Sequence, residues 1–441
     1  MRRIAVTGSE IGGFQAGLER VVQSVGREID LLGMPSNFEY GGTYTDWSTG
    51  RTTQILLRLG GSISGRLGTV GKLLSEPILA LRSLLIAVSA ARKYRVLVMC
   101  GGALLTRHPN IELLAYRLLS VRTIVKLHGS DARPWYVNGA RIGDPAADND
   151  LDRVASRVKR QAALFRSVNR WATTVVAFPG ISHYFTRAIV DRTHLGKISP
   201  RQLATDLESS SQEVRRSRRE PFRLLHAPTR PFAKGTDEIM RTVERLQQEG
   251  LEIELDLIQN ASNSAVLEAI SRADAVLDQL WCDIPAGSLS YEALSLGRPA
   301  IVGSWQARWL NKWYEGASSY PPTILIEPTE LERTLADLVT DSDLYDEHVE
   351  RIRVWQTDGG CQRRIAERWL RLLDGQIEEE WTFEAEQVDE VFFGFAPPAT
   401  VQRFVLRLIS RAGVGALALQ HRPRLESEIV AFARAAGSLS A

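Results

Sequence analysis

Arg230 and Lys234 stand just past an apolar run that begins after Pro221, and their type and spacing suggest chemistry. In an open parallel sheet, ligands bind outside the carboxyl ends of the strands, so two cations there are placed to meet an anion. Further along, Pro285, Ala286, Gly287 and Ser288 form a small-residue turn that opens a helix, Leu289 follows, and Glu292 stands one turn inside it. A helix N-terminus offers free N–H groups to phosphate oxygens. A carboxylate one turn in is placed to accept hydrogen bonds from hydroxyls. Cations, free amides and one carboxylate together suit a diphosphate joined to a ribose. The run Lys234-Gly235-Thr236-Asp237 taken alone is also an ordinary capped helix start; Arg230 ahead of it favours phosphate binding.

A second constellation lies in the first half. His128-Gly129-Ser130-Asp131 follows the apolar run Thr123 to Leu127, and Gly12-Gly13 follows the run Ile4 to Thr7. Both lie where strands end, so a place in a cleft is expected for them, against the plainer readings of a core histidine and a tight turn. No metal is expected. The seven histidines show no HxxxH or HExxH spacing, and the Asp144 to Asp150 segment lacks the glycine and terminal glutamate of a calcium loop. No GxSxG elbow is present, which argues against a serine hydrolase.

The elements that must carry these residues alternate. Strands at Ile4–Thr7, Arg95–Cys100, Thr123–Leu127 and Thr173–Ala177 are separated by helical periods, and a second α/β series opens at Pro221. Alternation of this kind implies parallel sheets. The expected fold class is therefore α/β, with two doubly wound domains facing across a cleft and a helical C-terminal tail. The boundaries read as 1–205 for an acceptor-side domain, 206–220 for a basic linker, 221–375 for a nucleotide-sugar-binding domain and 376–441 for a tail without an assigned role. Helices are expected at Glu330–Leu338, Leu344–Val354 and Cys361–Leu373.

These residues resemble a known family. The loop Arg230…Lys234-Gly235-Thr236, the strand end Asp278-Gln279-Leu280, and Gly287 to Leu294 followed by Gly297-Arg298-Pro299 are similar to the donor domain of GT-B glycosyltransferases, in particular the retaining family 4 group. His128 to Asp131 and Gly12-Gly13 look like that family's cleft motif and glycine loop. The resemblance implies a nucleoside diphosphate sugar as donor substrate, no metal or other cofactor, and transfer to a glycan or lipid-linked acceptor with retention. It implies that Arg230 and Lys234 neutralise the diphosphate, and that Gly287 and Ser288 present amides to the distal phosphate. Glu292 would accept the ribose hydroxyls, and His128 would lie near the transferred sugar. The family's second glutamate, eight positions before Glu292, is Ile284 here, with Asp283 adjacent as a substitute. The competing functions are an epimerase of the same fold and a non-catalytic scaffold subunit.

Composition bounds the partners. The chain has 441 residues, net charge +2 and three scattered cysteines, Cys100, Cys282 and Cys361. No nucleic-acid partner is expected from that balance, and unpaired cysteines fit a cytoplasmic location. From Arg51 to Arg95, eight cations oppose a single acid, Glu76, and are interleaved with leucines. In the tail, Val401, Phe404, Val405, Leu408 and Ile409 keep helical spacing while Arg403, Arg407 and Arg411 line another face. Basic amphipathic stretches can lie on an anionic membrane; core packing and a homodimer contact are the competing readings.

Overall fold

The computed structural model describes residues 3–8, 10, 12–32, 68–142, 150–198 and 221–438. The linker 206–220 and the stretch from Arg51 to Leu67 lie outside the described residues. The first domain is built on β1 (Arg3–Thr7), β2 (Ile29–Leu31), β3 (Tyr94–Cys100), β4 (Arg122–Lys126), β5 (Thr174–Ala177) and β6 (Ala188–Asp191), in the order β2-β1-β3-β4-β5-β6 and all parallel. Successive side chains alternate between the faces of a strand. Ile4, Val6, Val96, Val98 and Ile124 therefore enter one apolar layer, and Ala5, Leu97, Met99 and Val125 the other. Both layers are covered by helices, which is why the strands read as unbroken apolar runs. The helices are α1 (Phe14–Ser24), α2 (Gly68–Lys93), α3 (Pro109–Leu118) and α4 (Leu151–Trp171), the last capped by Asp150.

The second domain has β7 (Phe222–His226), β8 (Ile253–Leu257), β9 (Ala275–Gln279), β10 (Ala300–Gly303) and β11 (Ile324–Ile326), parallel in the order β8-β7-β9-β10-β11. Its helices are α5 (Thr236–Gln248), α6 (Asn263–Arg272), α7 (Ser288–Ser295), α8 (Ala307–Trp313), α9 (Leu331–Thr340) and α10 (Ser342–Thr357). The strand order reverses between β1 and β3 and again between β7 and β9. Such reversals open a crevice at the carboxyl ends of the strands. The chain thus has the expected fold class, two doubly wound α/β domains with a mainly helical tail.

The last part of the chain belongs to the first domain and to the joint. Helix α11 (Gln362–Asp374), read from sequence as the end of the second half, buries Ile365, Trp369 and Leu373 against α1 and the first sheet. Its Trp369 ring sits 4.8 Å from that of Phe14. Strand β12 (Thr382–Glu384) then adds antiparallel to β6. The chain next runs between the domains: Gly394 N donates to Val137 O, Gly139 N to Gly394 O, and Phe395 N to Trp281 O. A Cβ on Gly139 would collide with the Phe395 backbone, so only glycine admits this crossing. Helices α12 (Pro398–Ala412) and α13 (Pro423–Ser438) close on the first domain beside α4.

Candidate functional site

The carboxyl ends of β7 and β9 carry the expected donor residues. Lys234 Nζ donates to Asp278 Oδ1 at 2.8 Å, and Ser290 donates to Asp278 Oδ2 through Oγ at 2.7 Å and N at 3.2 Å. Burial pushes the Asp278 carboxyl up, but the Lys234 ammonium and the Ser290 donors outweigh it and hold it below its ordinary value. Gly287 is needed here because a Cβ at that position would strike Asp278 and Gln279. It is the N-cap of α7. Helix geometry leaves the Ser288 and Leu289 amides without intrahelical partners. Arg230 is exposed at the mouth, with no ion pair among the described residues.

The first domain meets this helix directly. Gly12 (φ 62°) turns after β1, and a Cβ there would lie 3.0 Å from Ser288 Oγ. Gly13, also left-handed at φ 77°, is the N-cap of α1. Lys197 Nζ reaches across to Glu292 Oε1 at 3.0 Å and to Ser288 O at 3.2 Å. Asn263 Nδ2 also approaches Glu292 Oε1, at 3.4 Å. The glycine loop, the Gly-Ser helix start and Glu292 are thus brought together by two domains. Sequence reasoning missed Lys197, because a single lysine after a short turn has no local pattern.

His128 follows two residues after the end of β4 and is buried, as is Lys126, the last residue of that strand. The Lys126 ammonium lies 3.4 and 3.5 Å from the two ring nitrogens of His128 and 4.0 Å above the Phe14 ring. Desolvation, with the neighbouring Lys126 and Arg192 charges, drives His128 well below its ordinary value, so it is neutral. Desolvation and Arg192 likewise lower Lys126. Lys126 was missed as well, since within its strand it reads as an edge cation. Asp131 keeps an exposed edge while its carboxyl lies against the Gly101 turn. Desolvation raises it, and Arg141 and Lys126 pull it down only in part.

Two expectations are corrected. Asp283 does not replace the family's second glutamate in the cleft. It is fully buried, and both of its oxygens accept from Arg133 across the domain boundary. The apolar positions of α12 do not form a lipid-facing surface either: Val401, Phe404, Val405 and Leu408 are buried in the core, and Arg411 pairs with Asp152 at 2.8 Å. On α2, by contrast, Leu81, Leu84 and Leu85 are exposed. No described helix is long and apolar enough to cross a membrane. Among the described residues no group of three His, Cys, Asp or Glu side chains is arranged to hold a metal ion.

Three buried histidines give a pH dependence. His226 donates from Nδ1 to Leu277 O at 2.7 Å. Desolvation is the main cause that lowers it to about 4, and His183 to about 3, alongside His128. An unfolded histidine titrates near 6.5, so below that pH the unfolded chain binds more protons than the native one. Their contribution is complete above about pH 6.5 and is lost as pH falls toward the folded values. Melting temperature is expected to fall between about pH 6.5 and 5. Equal melting temperatures across that window would contradict it.

No family model matches the chain, and no curated protein matches it. Solved structures do. The glycotransferase of kitacinnamycin is 11% identical, with 84% of this chain and 99% of that one covered and a TM-score of 0.40. HepE of Anabaena in complex with UDP-glucose is 13% identical, covering 85% and 100%, with a TM-score of 0.43. A putative UDP-N-acetylglucosamine 2-epimerase from Listeria monocytogenes is 12% identical, covering 86% and 98%, with a TM-score of 0.41.

Proposed function

We propose that the cleft binds a nucleoside diphosphate sugar and that the protein transfers the sugar to an acceptor, as a glycosyltransferase. The observation that carries this reading is the meeting of the Gly12 turn, the α7 N-terminus and the Lys197–Glu292 pair. Ser288 and Leu289 amides would take the distal phosphate. Lys234 and Arg230 would offset its charge as the diphosphate departs. Glu292 would exchange part of its contact with Lys197 for the ribose hydroxyls. Neutral His128 would face the sugar as a hydrogen-bonding group rather than a charge. Asp283 is engaged by Arg133, and on this reading the leaving phosphate would take the acceptor proton, with retention.

A second reading is favoured by the same engagement of Asp283 together with Ile284: an epimerase that acts on the donor alone, or a subunit that binds it without turnover. Incubation with nucleoside diphosphate sugars separates these. Release of nucleoside diphosphate only when acceptor is added is expected; sugar isomerisation without acceptor would replace transferase by epimerase. The acceptor in this reading is a glycan or lipid-linked. Leu81, Leu84 and Leu85, exposed on α2, whose last turn carries Arg92, support peripheral attachment to anionic lipid, at about 1 kcal/mol per cation close to the surface. Absence of co-sedimentation with anionic vesicles at low salt would remove that attachment and leave the transferase reading intact.

A further inference from the structure

Arg192 immediately follows β6, at the same edge of the first sheet as the Gly12 turn and His128. Its guanidinium lies 5.1 Å above the Phe178 ring, which follows β5. Stacking on an aromatic face holds the guanidinium plane without consuming its donors. Asp191, its chain neighbour, is turned away: Oδ1 accepts from Thr193 N at 2.9 Å and Oδ2 from the Tyr314 hydroxyl at 2.8 Å. Among the described residues, no side-chain hydrogen bond or ion pair engages Arg192. The half-buried guanidinium keeps its N–H donors open to solvent and free for an acceptor that enters from outside.

Its surroundings say where that acceptor comes from. Tyr291 on α7 lies within electrostatic reach across the cleft, as do Lys126 and His128 on its own domain. The nearest carboxylates to Lys126 are otherwise held: Glu10 accepts from the Gln15 and Ala16 amides at the start of α1, and Asp131 leans on Gly101 toward Arg141. Arg192 also lies at the domain boundary by geometry, because its chain neighbours bond across it: Asp191 and Thr193 to the Tyr314 hydroxyl, His194 to Ser319, and Lys197 to Glu292 on the donor helix. The donor diphosphate has its own cations, Arg230 and Lys234, on the opposite domain.

We propose that Arg192 binds an anionic group, a carboxylate or phosphate, on the sugar or the acceptor lying against the first domain. This rests on the donor-site reading and narrows its substrate class to one with a negative charge beyond the diphosphate. The planar Arg192 fork makes the contact.

Titration calorimetry tests it with wild type, Arg192→Gln and Arg192→Lys. The probes are the nucleoside diphosphate that binds best among UDP, GDP, ADP and dTDP, its neutral hexose conjugate, its uronic acid conjugate, and inorganic phosphate added to diphosphate-saturated protein. In wild type, the uronic acid conjugate should bind about tenfold tighter than the neutral one, placing the anion on the sugar. Alternatively, inorganic phosphate should bind the saturated protein, placing the anion on the acceptor. Either preference should vanish in Arg192→Gln and survive in part in Arg192→Lys. Neither preference in wild type overturns the inference while leaving the donor site standing. Equal losses of the free diphosphate and its conjugates in Arg192→Gln also overturn it, because Arg192 would then serve the donor phosphates. Failure of all four nucleotides to bind wild type would remove the donor-site reading and this inference with it.

Discussion

Replacing Arg133 by alanine is expected to cost about 3–5 kcal/mol of stability, because it leaves a buried carboxylate without its counter-ion. The two side chains are 1% and 0% exposed, and they join in a two-pronged pair between the domains. The guanidinium also stacks 4.7 Å from the Phe395 ring, in the segment that runs between the domains. Breaking the pair should therefore loosen the joint as well as the fold. Denaturant unfolding of Arg133→Ala and Asp283→Ala measures the loss. The double variant Arg133→Met with Asp283→Leu should recover most of it, since an apolar pair strands no charge. A single-variant loss below about 1 kcal/mol would contradict the buried-pair account.

Lys234→Ala should produce two losses that can be separated. Asp278 is 1% exposed, and its ordinary ionisation depends on Lys234 and Ser290, so removing the ammonium destabilises the second domain. Removing a charge-assisted contact to the diphosphate should also weaken nucleotide binding by about 1.5–3 kcal/mol. Adding Asp278→Asn to Lys234→Ala should restore melting temperature without restoring affinity. Recovery of both together would mean that Lys234 only holds Asp278 in place and does not touch the ligand.

The sequence showed most clearly what local patterning encodes. Strands such as Tyr94–Cys100 and Arg122–Lys126 are buried on both faces, so unbroken apolar runs marked them to within a residue. The α7 start was legible because only small residues fit beside Asp278, as Gly287 shows. Contacts between segments far apart in the chain left no such trace. Lys197 and Glu292 are separated by 95 positions, and Arg133 and Asp283 by 150, and neither member of a pair announces the other. β12 is three residues long and takes its identity from pairing with β6. The tail helix α12 carried a true amphipathic pattern, but periodicity reports that a face is covered and not what covers it. Here protein covers it.

On the proposed reading, α7 and its partners hold a nucleoside diphosphate through the ribose and the phosphates. Calorimetric titration of UDP, GDP, ADP and dTDP into wild type and Glu292→Ala tests it most directly, with melting curves to confirm that both proteins are folded. At least one nucleotide should bind wild type. Glu292→Ala should bind it about tenfold or more weakly while remaining folded, and it should no longer distinguish that nucleotide from its deoxyribose form. Equal affinity of the two proteins for every nucleotide, or no binding to wild type at all, would contradict the assignment of this cleft.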